Sequence, residues 1–240
     1  MKIYQYCEIL TIEKENYETL SEYYIEMAAI FMNISTEEAE KMSYIDVIQK
    51  QEELSSSLNK AKVGIEEFQV DDVAFRKAPF NRMTLGEFID LENYLKNQDD
   101  LAIIAVIYKQ FKETGFGAIK YEEYGDYVEK RKALFQDQNA LQLIGAVKEY
   151  IEWREGFMNN YGAFFSLGED GEEEDLSDFT ANERKQHYNE LAKERERQQF
   201  SWERVIMNLA NDDITKAKEV LSLSVVFVFN IMSMTKLTSE

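Results

Sequence analysis

Few residues of this 240-residue chain could carry out nucleophilic or acid–base chemistry. Most such schemes place a histidine beside a nucleophile or a second base, and His187 is the only histidine. It lies between Gln186 and Tyr188 in a strongly charged stretch, where we expect a surface side chain. A helical di-iron site needs two Glu-x-x-His pairs, and Arg184 occupies the position three residues before His187. The sequence therefore predicts no histidine-dependent catalytic site.

Acidic residues and cysteine give equally little support for a metal site. Residues 168–178 read GEDGEEEDLSD and hold seven carboxylates, without the residue order of an EF-hand loop. We interpret 168–180 as a solvated acidic linker, with a weak cation site as the alternative. Cys7 is the only cysteine, so an intramolecular disulfide and a cysteine-based zinc site are excluded. We expect no catalytic, cofactor-binding or metal-binding residues and no enzymatic activity.

The composition indicates a folded, mainly helical protein with an acidic surface. Hydrophobic residues make up 45% and aromatic residues 13%, enough for a core, and one proline with ten glycines favours long helices. Lys and Arg number 27 against 46 Asp and Glu, which gives a net charge of −19. Such a surface repels phosphate backbones and anionic lipids, so we expect neither a nucleic acid nor a membrane as partner. The same charge would keep the protein in solution beside an aggregation-prone partner.

The clearest helix start lies in Met83–Phe111, which we expect to form a helical hairpin at the centre of the fold. Thr84 and Glu87 have the spacing of a capping box, in which each side chain satisfies a backbone N–H at the helix entrance. Asn97 or Asp99 can then cap a second helix. Its sequence LAIIAVIY, from Leu101 to Tyr108, is apolar on all sides and therefore predicts a buried helix.

Helical periodicity and turn signals predict further elements on both sides of this hairpin. FQV and VAF alternate with period two around Asp71-Asp72, which indicates a small β-hairpin. Gly145 and Gly156 each cost about 1 kcal/mol inside a helix, which leaves a break near either of them open. The predicted elements are helices at 16–34, 35–42 and 43–58, the β-hairpin at 65–78, a connector at 111–125, a helical stretch from 126 to 165, and helices in 181–240 that pack back on a core domain of residues 1–167.

The run Val220–Met234, VLSLSVVFVFNIMSM, is the most apolar part of the C-terminal region. It falls short of the ~20 residues that a membrane-spanning helix needs. Its β-branched residues would suit a strand. We predict a buried terminal helix instead, because Asp212 or Asp213 can cap it and apolar residues recur at helical steps from Ile214 onward. This helix would pack on residues 101–108 of its own chain or on another molecule, and would then act as a binding element.

Aromatic residues are abundant, with fourteen Tyr and fifteen Phe. At helical spacing they indicate a core first, and a partner-binding groove second, because aromatic side chains are enriched at interface centres. The residues predicted to bind a partner are Tyr24, Phe31, Phe88, Tyr94, Phe164, Phe165, Trp202, Val225 and Phe229.

Five stretches spread along the chain carry a resemblance to a known group of proteins. They are Ile34-Ser35 with EEAEKMS, then FQVDDVAF, MTLGEFIDLE, IIAVIY, and finally W-x-x-V-I-M-N-L-A-N-D-D-I. In these stretches and their order the chain resembles small acidic proteins of tailed bacteriophages. Such proteins lie among virion structural genes and are often taken to be tail assembly chaperones, which coat a hydrophobic helical tape-measure protein until the tail subunits polymerise around it.

The resemblance implies a function without catalysis. It implies an assembly factor without cofactors that binds another phage structural protein in the host cytoplasm during assembly. The alternative is a structural component of the virion itself, such as an adaptor, ring or internal protein, in which the same helices form permanent subunit interfaces. Association into a homo-oligomer is left open by the sequence.

Overall fold

A computed structural model describes residues 1–115, 117–161 and 202–237 of the chain. The predicted acidic linker at 168–180, the charged stretch around His187, and Phe164 and Phe165 lie outside the described residues. Where the structure describes the chain, it is mainly helical with one small antiparallel sheet, which confirms the predicted fold class.

The chain divides into two compact units, Met1–Trp153 and Arg154–Glu240. The predicted packing of residues 181–240 on residues 1–167 stays a prediction.

The first unit opens with four helices, of which the second to fourth begin at side-chain caps. Ser35 accepts the Glu38 backbone N–H at 3.2 Å while the Glu38 carboxylate accepts the Ser35 N–H at 3.0 Å, which confirms the predicted capping box. A further capping box, Thr19 with Glu22, starts the long second helix four residues later than the predicted 16. The helices are α1 (Ile3–Leu10), α2 (Leu20–Met32), α3 (Thr36–Ala39) and α4 (Tyr44–Lys60).

The predicted β-hairpin at 65–78 is confirmed, and it belongs to a larger sheet. The four strands run antiparallel to their neighbours in the order β1-β2-β3-β4. Asp71 adopts the left-handed conformation at the hairpin turn, with φ of 52°. The strands are β1 (Glu67–Val70), β2 (Val73–Lys77), β3 (Tyr108–Glu113) and β4 (Ile119–Tyr121).

The prediction of a connector over 111–125 was wrong at 111–113 and 119–121, because β3 extends to Glu113 and β4 occupies Ile119–Tyr121. The sequence of β3, YKQFKE, does not alternate between apolar and polar residues. Lys109 is nonetheless buried, because it forms an ion pair with the buried Glu87. A charged residue on a buried face removes the period-two signal by which strands are recognised.

The predicted helical hairpin is present as α5 (Leu85–Lys96) and α6 (Asp100–Ile107). Asp99 caps α6 by accepting the Ala102 N–H at 2.9 Å. Every side chain from 102 to 107 is buried, as the apolar sequence predicted. The helix ends at Ile107, and Tyr108 is already the first residue of β3.

Four aromatic rings join the sheet to α7 (Val128–Phe135). Phe75 of β2 lies 4.8 Å from Phe135 of α7, measured between ring centroids, and Phe68 lies 5.0 Å from both Phe135 and Tyr108. Such edge-to-face pairs add to the stability gained from burial. One face of the sheet is therefore covered by α7.

The helical stretch predicted from 126 is divided, but not at a glycine. It ends at Phe135 and resumes as α8 (Ala140–Asn160), which runs through Gly145 and Gly156 without interruption.

The second unit contains α9 (Trp202–Leu209), α10 (Ala217–Leu221) and α11 (Val225–Leu237). The prediction of a single helix over Val220–Met234 was wrong, because α10 ends at Leu221 and α11 begins only at Val225. At this break the Ser222 hydroxyl donates to the Lys218 carbonyl at 2.9 Å, a side-chain bond that competes with regular helical pairing. Burial along the run is uneven: Val225 and Phe229 are fully buried, whereas Phe227 is 52% exposed.

Candidate functional site

A groove of about 490 Å³ runs along α4 in the first unit. Its α4 wall consists of residues at steps of one, three and four, which share one face of a helix. The lining residues are Phe31, Gln49, Glu52, Glu53, Ser56, Ser57 and Lys60. The groove therefore combines one aromatic ring from α2 with a polar face that carries two carboxylates and one ammonium group.

Phe31 is held in this groove by the core beneath it. Ile9, Met27 and Leu54 form a buried cluster contributed by α1, α2 and α4, and the half-buried Phe31 packs against that cluster. One side of the ring is thus fixed by the core while part of it stays accessible from the groove. A ring in this position can accept an apolar side chain from a partner without rearrangement of the backbone.

The two carboxylates of the groove differ in their partners. Glu53 forms an ion pair with Lys50 at 2.7 Å. Glu52 is exposed and makes no ion pair with any residue that the structure describes. A cationic side chain of a bound segment would find an acceptor there.

The first four helices also expose several large apolar side chains. Tyr44 and Ile45, at the start of α4, are 60% and 68% exposed, and Leu20 at the start of α2 is 49% exposed. Single exposed apolar residues are ordinary, but several on neighbouring helices are typical of an interaction surface.

The structure brings together only some of the residues that the sequence predicted to bind a partner. Tyr24 and Phe31 lie on α2, both half-buried, and the Tyr24 ring is 5.5 Å from that of Tyr23. Tyr94 is half-buried near the end of α5, whereas Phe88 of the same helix is fully buried in the core.

In the second unit, the predicted residues Trp202, Val225 and Phe229 lie in or beside a core of its own. Val225 and Phe229 are fully buried. Among the described residues, the Phe229 ring contacts those of Phe157, Tyr161 and Trp202, with centroid distances of 4.9, 5.1 and 6.0 Å. Phe88, Val225 and Phe229 therefore stabilise the fold from within.

A second concavity, of about 510 Å³, lies between the β3–β4 ribbon and α7. This concavity was not predicted, because residues 111–125 were interpreted as a connector. One feature of the sequence could have indicated a cationic site: the chain is acidic overall, but lysines recur at 109, 112, 120, 130 and 132. The concavity is lined by Gln110, Phe111, Lys112, Lys120, Tyr121, Glu122, Glu123, Tyr127, Lys130, Arg131 and Leu134.

Buried charged side chains connect the helices and strands that surround this second concavity. Arg131 of α7 is buried, donates to the Ala105 carbonyl of α6 at 2.7 Å and forms an ion pair with Glu122 beyond β4. Burial lowers the pKa of the guanidinium, and the neighbouring Glu122 opposes that shift. On α5, Glu87 both caps the helix at Thr84 and pairs with Lys109 of β3.

Two general properties follow for the described residues. No group of three or more His, Cys, Asp or Glu side chains among them is placed to hold a metal ion. None of their helices has the length and apolar character needed to cross a membrane.

Comparison with known proteins adds no relative: no protein-family model, no curated protein and no solved structure matches the chain.

Proposed function

We propose that this protein is an assembly factor that binds amphipathic helical segments of another protein along the α4 groove. The observation that supports this most is the position of Phe31, which is fixed by the core on one side and accessible on the other. Beside it lies the Glu52 carboxylate, which makes no ion pair within the described part of the chain. A partner helix with an apolar stripe and basic flanks would match that combination.

The overall charge supports the same proposal. A net charge of −19 attracts a basic segment over a distance of several ångströms and accelerates its association. It also keeps complexes apart from one another while the bound segment is shielded from water.

Within this class, the resemblance to small acidic phage proteins makes a tail assembly chaperone our first candidate. Its partner would be a tape-measure-like protein, held in the host cytoplasm until the tail forms. A virion structural component is the second candidate, because exposed apolar residues such as Tyr44 and Ile45 could equally form permanent subunit contacts.

A peptide-binding experiment tests the groove. Two labelled amphipathic helical peptides of equal length, one with Lys and one with Glu on the polar face, are titrated with the full chain by fluorescence anisotropy. We expect the basic peptide to bind and the acidic peptide not to bind. The variant E52K/E53K should weaken binding of the basic peptide by about tenfold or more, because it reverses both carboxylates of the groove.

The matched control is E37K/E40K, which reverses two exposed carboxylates on α3 and beyond its end, outside the groove. It changes the net charge by the same amount and should leave most of the affinity. Equal losses in the two variants would mean that only the overall charge matters, and would contradict binding in the groove.

The two candidates differ in what a finished particle contains. Quantitative mass spectrometry of purified particles should not detect a chaperone. A fixed copy number in every particle would instead identify a virion component and exclude the chaperone.

A further inference from the structure

The concavity between β3, β4 and α7 contains lysines whose charges are not neutralised by any residue that the structure describes. Lys112 of β3 and Lys120 of β4 are directly opposite each other in the antiparallel pair. Like charges at such positions repel and destabilise the pair. Neither lysine forms an ion pair with any residue that the structure describes, and neither does Lys130 of α7.

Strand geometry directs these lysines toward the same space. Side chains alternate between the two faces of a strand, so Lys112 shares a face with Gln110. Gln110 is paired with Phe75, whose ring contacts Phe135 of α7. Lys112 and its partner Lys120 therefore extend from the face that α7 covers, and Lys130 approaches from α7 itself.

Arg131 lines the same concavity, and its described hydrogen bonds do not use all of its N–H donors. It is only 6% exposed, and two acceptors, the Ala105 carbonyl and the Glu122 carboxylate, are bonded to its guanidinium. A guanidinium carries more N–H donors than these two contacts use. A buried cationic donor that faces a cavity is a typical element of an anion-binding site.

The balance of charge here is the reverse of that in the whole protein. Four cationic side chains line the concavity against the two carboxylates of Glu122 and Glu123, and one of those carboxylates is paired with Arg131. Salt screens charges beyond about 8 Å at physiological ionic strength, so a small anion inside the concavity experiences mainly these lysines. A long polyanion would also meet the acidic surface outside and would be repelled.

The size and the aromatic lining indicate a ligand larger than an inorganic ion. About 510 Å³ falls within the range of small-molecule sites. Tyr127 is 43% exposed, and its ring centroid lies 5.4 Å from the Arg131 guanidinium carbon. An aromatic ring of a ligand could stack on Tyr127, while the lysines contact its anionic group.

We propose that this concavity binds a small phosphorylated molecule with an aromatic ring, of the class to which mononucleotides belong. Lys112, Lys120 and Lys130 contact the phosphate, Arg131 supplies a directed donor, and Tyr127 supports the ring. The phosphate oxygens relieve the repulsion between the two opposed lysines, so binding and stability of the β3–β4 ribbon are coupled.

Calorimetric titration of the full chain with AMP tests this proposal, with adenosine and inorganic phosphate as comparison ligands at the same ionic strength. We expect AMP to bind, and to bind at least about tenfold more tightly than either comparison ligand, because only AMP offers both groups. The variant K112Q/K120Q should lose about tenfold or more of the AMP affinity. The control K41Q/K62Q removes two exposed lysines outside the concavity and should bind AMP as the wild type does.

Thermal unfolding provides a second measurement, the first part of which needs no ligand. K112Q/K120Q should unfold at a higher temperature than the wild type without ligand, because the repulsion is removed. The same concentration of AMP should then raise the melting temperatures of the wild type and of K41Q/K62Q more than that of K112Q/K120Q. No binding of AMP at millimolar concentration, equal losses in both variants, or tighter binding of a hexaglutamate peptide at the same lysines would each overturn the proposal.

Discussion

Gly145 of α8 lies so close to the backbone of Val63 that a β-carbon on Gly145 would be 2.2 Å from the Val63 carbonyl carbon. The segment that precedes β1 crosses α8 at this point. The Ile65 N–H donates to the Gln142 carbonyl at 2.9 Å, and the Gly64 N–H donates to the Glu149 carboxylate at 3.0 Å. Gly145 is thus required for a backbone crossing and does not interrupt the helix.

We therefore predict that Gly145→Ala destabilises the protein. In a helix interior this change usually adds up to about 1 kcal/mol to the free energy of unfolding. Here the methyl group would collide with backbone, so we expect a net loss of about 1–3 kcal/mol in urea denaturation. Gly156→Ala is the matched control in the same helix, because a β-carbon there meets no atom of the described residues within 4 Å, and it should stabilise. A stabilised Gly145→Ala variant would show that the segment at 63–65 does not lie on α8.

Breaking the buried ion pair between Lys109 and Glu87 should lower the stability of the protein more than breaking an ion pair at its surface. Lys109→Met leaves the Glu87 side chain, which is only 5% exposed, without its cation. We expect a loss of about 3–5 kcal/mol in the free energy of unfolding. Lys50→Met, which removes an ion pair at the surface, should cost less than about 1 kcal/mol.

The double variant K109M/E87Q distinguishes the loss of the pair from the loss of packing. It removes both charges, so most of the stability lost in Lys109→Met should return. Urea denaturation of the two single variants and the double variant measures the coupling. Purely additive losses would show that the two side chains do not interact.

Asp90 of α5 predicts a dependence of stability on pH. Burial raises the pKa of its carboxyl group, the Tyr124 hydroxyl that donates to it at 2.9 Å opposes the shift, and Glu87 and Asp126 add to it. Since the folded pKa lies above the unfolded value, the charged carboxylate destabilises the folded state at neutral pH, and this cost disappears as the pH falls through the folded pKa.

Asp90→Asn should therefore be more stable than the wild type at neutral pH. The difference should shrink on acidification and vanish below the ordinary carboxyl pKa of about 4. Denaturant unfolding over a series of pH values measures it. A difference that is independent of pH would show that the effect does not come from the charge of Asp90.

Cys7 should be a poorly reactive thiol. Burial, followed by the nearby carboxylates of Asp100 and Asp99, raises the pKa of Cys7 to about 11. Relative to the ordinary value of 9.0, the thiolate fraction at neutral pH is lower by about a hundredfold. We expect slow reaction with DTNB in the native protein and rapid reaction in denaturant. Equally fast reaction in both states would contradict the burial of this thiol.

Much of the helical structure was determined by short stretches of sequence. Thr84 with Glu87, and Ser35 with Glu38, fix helix starts because each pair satisfies backbone N–H groups only three residues apart. The missed start at Thr19 follows the same rule, and the spacing Thr-x-x-Glu was present in the sequence. The buried helix α6 was recognisable because its sequence is apolar on every side.

The sheet could be predicted only in part. The β1–β2 hairpin has alternating residues and a two-residue turn, which are local signals. Strand β3 pairs with β2 across about thirty intervening residues, and Lys109 is buried there because of Glu87, so neither feature is visible in a short window. The change from helix to strand between Ile107 and Tyr108 has no glycine or proline to mark it.

The candidate sites also combine features that a short stretch of sequence shows with features that depend on tertiary packing. The polar face of α4 could be read from its helical spacing, whereas the role of Phe31 depends on the core that α1 and α4 place beneath it. The opposition of Lys112 and Lys120 depends on the register of two strands, and the contact of Gly145 with Val63 joins residues eighty-two positions apart. Caps and helical periodicity act within one or two turns of a helix, so short stretches of sequence are enough to predict them. Which charges and which backbone segments meet depends on the packing of the whole unit, so those contacts are visible only in the folded chain.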